Sequence, residues 1–143
     1  MRCAVFAFLL AIISTWSNLV RAEPASLEFL PGEWHQIISN AGKCADCRIV
    51  VGSNGQHFTV KSNNGWSATV RPSFEGKPFV AGKGSWERNV TGVYGGKAFF
   101  LNLGMKDDQL LMLMTVPGRD GTLRNIKAIF EREARGDRKE SAE

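Results

Sequence analysis

From Glu33 onward, apolar and polar residues alternate in short runs, and turn dipeptides break the runs where a helix would need a longer period. A period of two marks β-strands with one wet and one buried face. The punctuation falls at Ser53-Asn54-Gly55, Asn63-Asn64-Gly65, Gly95-Gly96, Asp107-Asp108 and Asp120-Gly121, several of them residues that tolerate the positive φ of tight hairpin turns. Strands are predicted at Glu33–Ile38, Arg48–Gly52, Gln56–Ser62, Trp66–Arg71, Pro78–Gly82, Ser85–Tyr94, Lys97–Gly104, Gln109–Val116 and Thr122–Arg132. Short connections pair each strand with its sequence neighbour. An antiparallel up-and-down meander of eight or nine strands loses its exposed edges by closing into a small barrel; a two-sheet sandwich is the alternative.

Alternation also assigns the faces. Trp34, Gln36 and Ile38 share one side, Phe58 and Val60 another, as do Trp66, Ala68 and Val70, and finally Ile126, Ala128 and Phe130. These are expected inside, because their neighbours, among them Thr59, Lys61, Ser67, Thr69, Lys127 and Glu131, are mostly polar. Two runs are apolar on both faces: Ala98 to Leu103 and Leu110 to Val116. Such strands need cover outside as well as in. The Leu27-Glu28-Phe29-Leu30 segment, a homodimer partner or a target protein can each supply it.

The two ends of the chain differ from this pattern. Met1-Arg2, an apolar run over Cys3 to Ile13 and small residues at Val20 and Ala22 read as a signal peptide over 1–22, cleaved before Glu23. Ser14, Ser17, Asn18 and Arg21 interrupt the run well short of the roughly 20 apolar residues a spanning helix needs. The β domain then occupies 23–132, and the charged stretch 133–143 is expected to be a disordered or loosely helical tail. No membrane association is expected after cleavage.

Composition adds three things. Losing Arg2 and Arg21 with the leader lowers the net charge from +4 to about +2, too weak to argue for nucleic acid. The compact leader and the scarcity of cysteine favour a periplasmic location, with the extracellular space as the alternative. Cys3 departs with the leader, so Cys44 and Cys47 remain as a close pair, which in an oxidising compartment is most simply a local disulfide. Lys43 and Arg48 flank the pair and would favour a thiolate, but a strand follows where a thioredoxin-type site needs a helix N-terminus, so thiol-redox chemistry ranks below the staple.

A resemblance enters at Gly32-Glu33-Trp34 and at Phe130-Glu131-Arg132. There the chain resembles the calycin group, which contains lipocalins, fatty-acid-binding proteins, avidins and a family of bacterial metalloprotease inhibitors. The resemblance implies a lipocalin-like barrel in which Trp34 follows Gly32 in the first strand and Arg132 of the last strand lies across the indole, closing one end. It covers the two ends of the domain only, and the subfamily stays unassigned. The inhibitor branch carries a long-range disulfide, from which Cys44 and Cys47 depart.

No constellation for catalysis is present: there is no Gly-x-Ser-x-Gly, no His-Glu-x-x-His and only two histidines. His35 and His57 fall opposite Trp34 and Phe58 and are expected outside; no metal site or cofactor is predicted. Asn89-Val90-Thr91 is a formal glycosylation acceptor, meaningful only in a host that glycosylates its exports. Binding is better supported. Trp34, Phe58, Trp66, Phe79, Trp86, Phe99, Met112 and Met114 are candidates to line an apolar cavity, although a barrel this small has room for side chains or for one small ligand, and either is open at this point. The expectation is an exported, non-catalytic binding protein that carries a small apolar ligand or docks a partner protein through one end. The alternative is a periplasmic protease inhibitor or interaction module with a solid core, working through the Lys43–Arg48 loop or the segment before Gly32.

Overall fold

The computed structural model describes residues 26–73 and 77–132; the leader and tail read from the sequence lie outside the described residues. The turn residues act where alternation stops. Asp107 and Asp108 both take left-handed backbone angles (φ 48° and 61°), the geometry of a two-residue hairpin turn that matches strand twist. In the turn before the last strand, the Thr122 side chain and backbone N–H both donate to Asp120 and hold its carboxyl below the usual carboxylate range.

Eight strands result: β1 (Gly32–Ser39), β2 (Arg48–Ser53), β3 (Phe58–Ser62), β4 (Trp66–Pro72), β5 (Phe79–Trp86), β6 (Ala98–Lys106), β7 (Gln109–Pro117) and β8 (Leu123–Arg132), with one 3-10 turn at Leu27–Phe29 ahead of them. Each pairs antiparallel with its neighbour, and β8 returns to β1, so the sheet is a closed barrel. That excludes the sandwich alternative and agrees with the calycin-like architecture expected.

The strand count corrects one reading. Pro78–Gly82 and Ser85–Tyr94 were expected as two strands, but a single β5 runs through Gly82 and Gly84 and ends at Trp86. Residues 87–97 form a loop. Glycine suits both positions because β4 and β6 press on them: a Cβ at Gly82 would overlap the Thr69 carbonyl, and one at Gly84 would overlap the Ser67 carbonyl and the Phe99 ring.

Inside, the predicted faces hold for most strands. Trp34, Val60, Val70, Val80, Leu101, Leu110 and Val116 are fully buried, and Trp66, Ala68, Ile126, Ala128 and Phe130 nearly so. Ile38 departs, being 60% exposed. The β1–β8 register slips between Gln36 and Ile38, and one extra residue in a strand reverses the facing of everything after it. Ile38 therefore pairs with outward Ile129, while Ser39 pairs with inward Ala128.

One of the three covers proposed for the doubly apolar strands is also ruled out. Leu30 is fully buried, but the Leu27–Leu30 segment plugs the end of the barrel. The Trp34 indole N–H donates to the Leu30 carbonyl at 2.9 Å. The outer faces of β6 and β7 keep Phe100 55% and Leu111 37% exposed.

Candidate functional site: the mouth of the barrel

The two ends of the barrel are built differently. At the end where β1 starts and β8 finishes, the Arg132 guanidinium lies over the Trp34 ring, 4.3 Å from its centroid. It donates to the Pro31 carbonyl at 3.0 Å and also to the Phe29 carbonyl. Gly32 sits beneath at φ +139°, where a Cβ would overlap the guanidinium. Cation, ring and carbonyls together form a lid over the core.

The opposite end is a mouth. Here the chain makes its longer connections, between β1 and β2 and between β5 and β6. A cavity of about 260 Å³ opens between them. Its walls are Trp66, Trp86 and Tyr94 on one side and Met112, Met114, Ile126 and Phe130 on the other, with Gln36, Ser39, Ser62 and Asn64 at polar points. Trp86 stacks on Tyr94 (centroids 5.6 Å apart, planes 19°) and meets Trp66 edge-on at 6.4 Å. Phe99 supports both indoles from below, edge-on at 5.6 Å to Trp66 and 6.3 Å to Trp86. These rings hold one another in place, so the aromatic wall is formed in advance of any ligand. Among the described residues the Trp86 indole nitrogen is buried without a hydrogen-bond partner, a cost that an acceptor reaching it would relieve.

The β1–β2 loop leans over this opening. Cys44 and Cys47 form the expected disulfide (S–S 1.99 Å), and both line the cavity. Neighbouring turn residues anchor the loop: Asn63 Nδ2 donates to the Asp46 carbonyl, Asn63 Oδ1 accepts from the Arg48 N–H, and Asn64 Nδ2 lies 3.7 Å from Cys47 Sγ. No helix follows the pair; Arg48 opens β2. The flanking cations Lys43 and Arg48 stand at the rim, and Arg48 Nε is engaged with Glu33 at 3.3 Å.

Of the eight residues proposed to line a cavity, Trp66, Trp86, Met112 and Met114 meet at the mouth. Phe99 lies just behind them, and Phe58 packs half-buried against the core. Trp34 belongs to the lid at the far end. Phe79 faces outward, in register with Gly104 and opposite in parity to buried Val80. Sequence reasoning missed Tyr94, which a long sixth strand would have carried away from the mouth. The signal was present in Gly95-Gly96, which turns the chain back so that Lys97 N–H reaches the Tyr94 carbonyl at 2.9 Å.

His57 is engaged with Asn54 in the β2–β3 turn, and His35 lies 3.7 Å from Glu33. Among the described residues no three His, Cys, Asp or Glu side chains gather to hold a metal ion. No protein-family model matches the chain, and no curated protein matches it significantly.

Proposed function

We propose that this chain is an exported, non-catalytic, lipocalin-like binding protein that takes one small, flat, largely apolar molecule at the mouth of its barrel. The observation that carries this reading is the aromatic wall of Trp66, Trp86 and Tyr94 facing Met112 and Met114 across a cavity of about 260 Å³. Rigid rings on one side and adaptable thioethers on the other suit a planar ligand. Below the mouth the barrel is packed: Trp34, Leu101, Leu103 and Leu110 are at most 1% exposed. The volume therefore favours a compound of one or two fused rings over a long carrier ligand. A hydrogen-bond acceptor on that compound would suit the Trp86 N–H, which has no partner among the described residues.

A second reading rests on the same solid core. A barrel filled to near its rim is a rigid stage for loops, and the disulfide-stapled β1–β2 loop is the natural contact for a partner protein, a secreted protease included. Periplasmic residence belongs to both readings.

The test is NMR titration with 2-naphthol and indole-3-acetate. Indole N–H signals of Trp66 and Trp86 are expected to shift on binding while that of Trp34, at the closed end, stays fixed. Gln36→Phe, which fills the cavity from β1, should abolish the shifts. Unmoved Trp66 and Trp86 signals across the series, with no small molecule retained in native mass spectra of protein from its own host, would overturn the ligand reading in favour of the docking one.

A further inference from the structure

A larger concavity lies on the outside of the barrel. Cross-strand register sets Phe79, Gly104, Leu111, Ile129 and Ile38 side by side over β5, β6, β7, β8 and β1. All face outward, since they alternate with buried Val80, Leu103, Met112 and Ala128. Asn102, Leu113 and Lys127 form the next row. Together they border a groove of about 640 Å³.

Three features give the groove a shape. Gly104 contributes no side chain and leaves a low floor between Phe79 and Leu111. The bulge in β1 turns Ile38 outward, supplying the far wall. Asn40 pins that wall to β8: its side chain donates to the Asn125 carbonyl at 3.1 Å and accepts from the Lys127 N–H at 2.8 Å. Four steps between five strands, at about 4.8 Å each, make the row roughly 19 Å long.

The charge is as uneven as the shape. Among the described residues Lys127 is the only charged one bordering the groove, and its ammonium forms no ion pair or hydrogen bond with any of them. A matching occupant is therefore apolar along its length and negative at one point. We propose that this groove is an exterior binding site for one long-chain carboxylate, the acyl chain lying across Phe79, Gly104, Leu111 and Ile129 and the carboxylate meeting Lys127. The site is distinct from the mouth, sharing with it only Ser39 and Met112 of the barrel wall, and does not depend on the proposal made for the mouth. A second copy of the chain, the cover expected for strand β7, would have to fill a concavity with a protruding apolar rib, which a slender chain does without rearrangement.

Palmitate is the probe, titrated calorimetrically into the full chain below its micelle concentration. One-to-one binding is expected. Gly104→Val raises the groove floor, and its Cβ would meet Phe79 at an ordinary 3.6 Å; binding should weaken by about tenfold or more. Should that variant not fold, Leu111→Gln at its exposed position reads the same loss. Lys127→Gln should weaken palmitate by about fivefold and leave hexadecanol unchanged. Gln36→Phe, which blocks the mouth, should leave palmitate binding intact. The proposal falls if Gln36→Phe abolishes binding, if Gly104→Val and Leu111→Gln both leave it unchanged, or if the protein binds phosphatidylglycerol vesicles and not monomeric palmitate. A dimer in analytical ultracentrifugation that Leu111→Gln splits would assign the groove to a second copy instead.

Discussion

Arg132 is exposed by the usual measure, yet its guanidinium holds three things at once: the Trp34 face and the carbonyls of Phe29 and Pro31. Arg132→Ala removes the cation from the ring and leaves two carbonyls to water, which should lower stability by about 2 kcal/mol, read as a shift in the urea midpoint. Arg132→Lys should recover part of that, since an ammonium can lie over the indole but cannot bridge two carbonyls in the same way. This contact was legible through the resemblance of Gly32-Glu33-Trp34 and Phe130-Glu131-Arg132 to the ends of calycin barrels, with the parity Arg132 shares with inward Phe130 in support. Ile38 was not legible: its facing depends on a bulge, and nothing in Gln36-Ile37-Ile38-Ser39 marks where an extra residue is absorbed. The facing of Phe79 was hidden too, because the predicted strand stopped at Gly82, short of Lys83 and Ser85, the polar residues that share its face. At Asp120 the sign of the pH effect is fixed by its partners. With Thr122 lowering its pKa in the folded turn, the contribution is present above the unfolded carboxyl's pKa and fades as pH falls through the folded one. A carbon-detected titration should find Asp120 ionised to lower pH than in a peptide of the same turn.

Strands and loops tell the same story one level up. Hairpin dipeptides and alternation located seven of the eight strands, because both signals are local. The exception, β5, was split in two, with Gly82 ending one predicted strand and Ser85 opening the next, whereas Gly82 and Gly84 lie in one continuous strand with the β4 backbone pressed against both and the Phe99 ring against Gly84. Gly84→Ala should therefore cost on the order of 2 kcal/mol or more through displaced backbone or a displaced Phe99 ring, measured as a fall in thermal midpoint together with altered near-UV dichroism from Trp66 and Trp86. The β1–β2 loop makes a contrasting case. Its disulfide closes a very short ring, so Cys44→Ser with Cys47→Ser should cost no more than about 2 kcal/mol. Far-UV dichroism should remain that of the barrel, and the effect should appear at the mouth as broadened Trp86 and Tyr94 signals. If the oxidised wild-type chain instead exchanges disulfides with a dithiol substrate, and the double variant does not, the pair has redox chemistry that the strand following it does not account for.

Seen whole, the barrel has a packed half under the Arg132 lid, a hollow rim at the aromatic mouth and an apolar furrow along one outer flank. Composition could not apportion apolar residues among these three places, since Phe, Leu and Met serve all of them; only closure of the ring decides which side each strand shows. Closure itself has an uneven cost. Every pairing but one joins strands separated by a turn or a loop of about a dozen residues or fewer, whereas β1 meets β8 across nearly the whole domain. Bringing ends about 95 residues apart together costs on the order of 4 kcal/mol in chain entropy, against about 1 to 2 for each hairpin. Trp34 and Arg132 sit at that last seam. A chain that zips its meander first and shuts the ring last would cross its transition state with this seam still open, so that Arg132→Ala steepens escape from the native state while barely slowing return to it. In stopped-flow chevrons the unfolding limb should rise and the refolding limb stay in place, making one surface arginine the latch that sets how long the barrel stays shut.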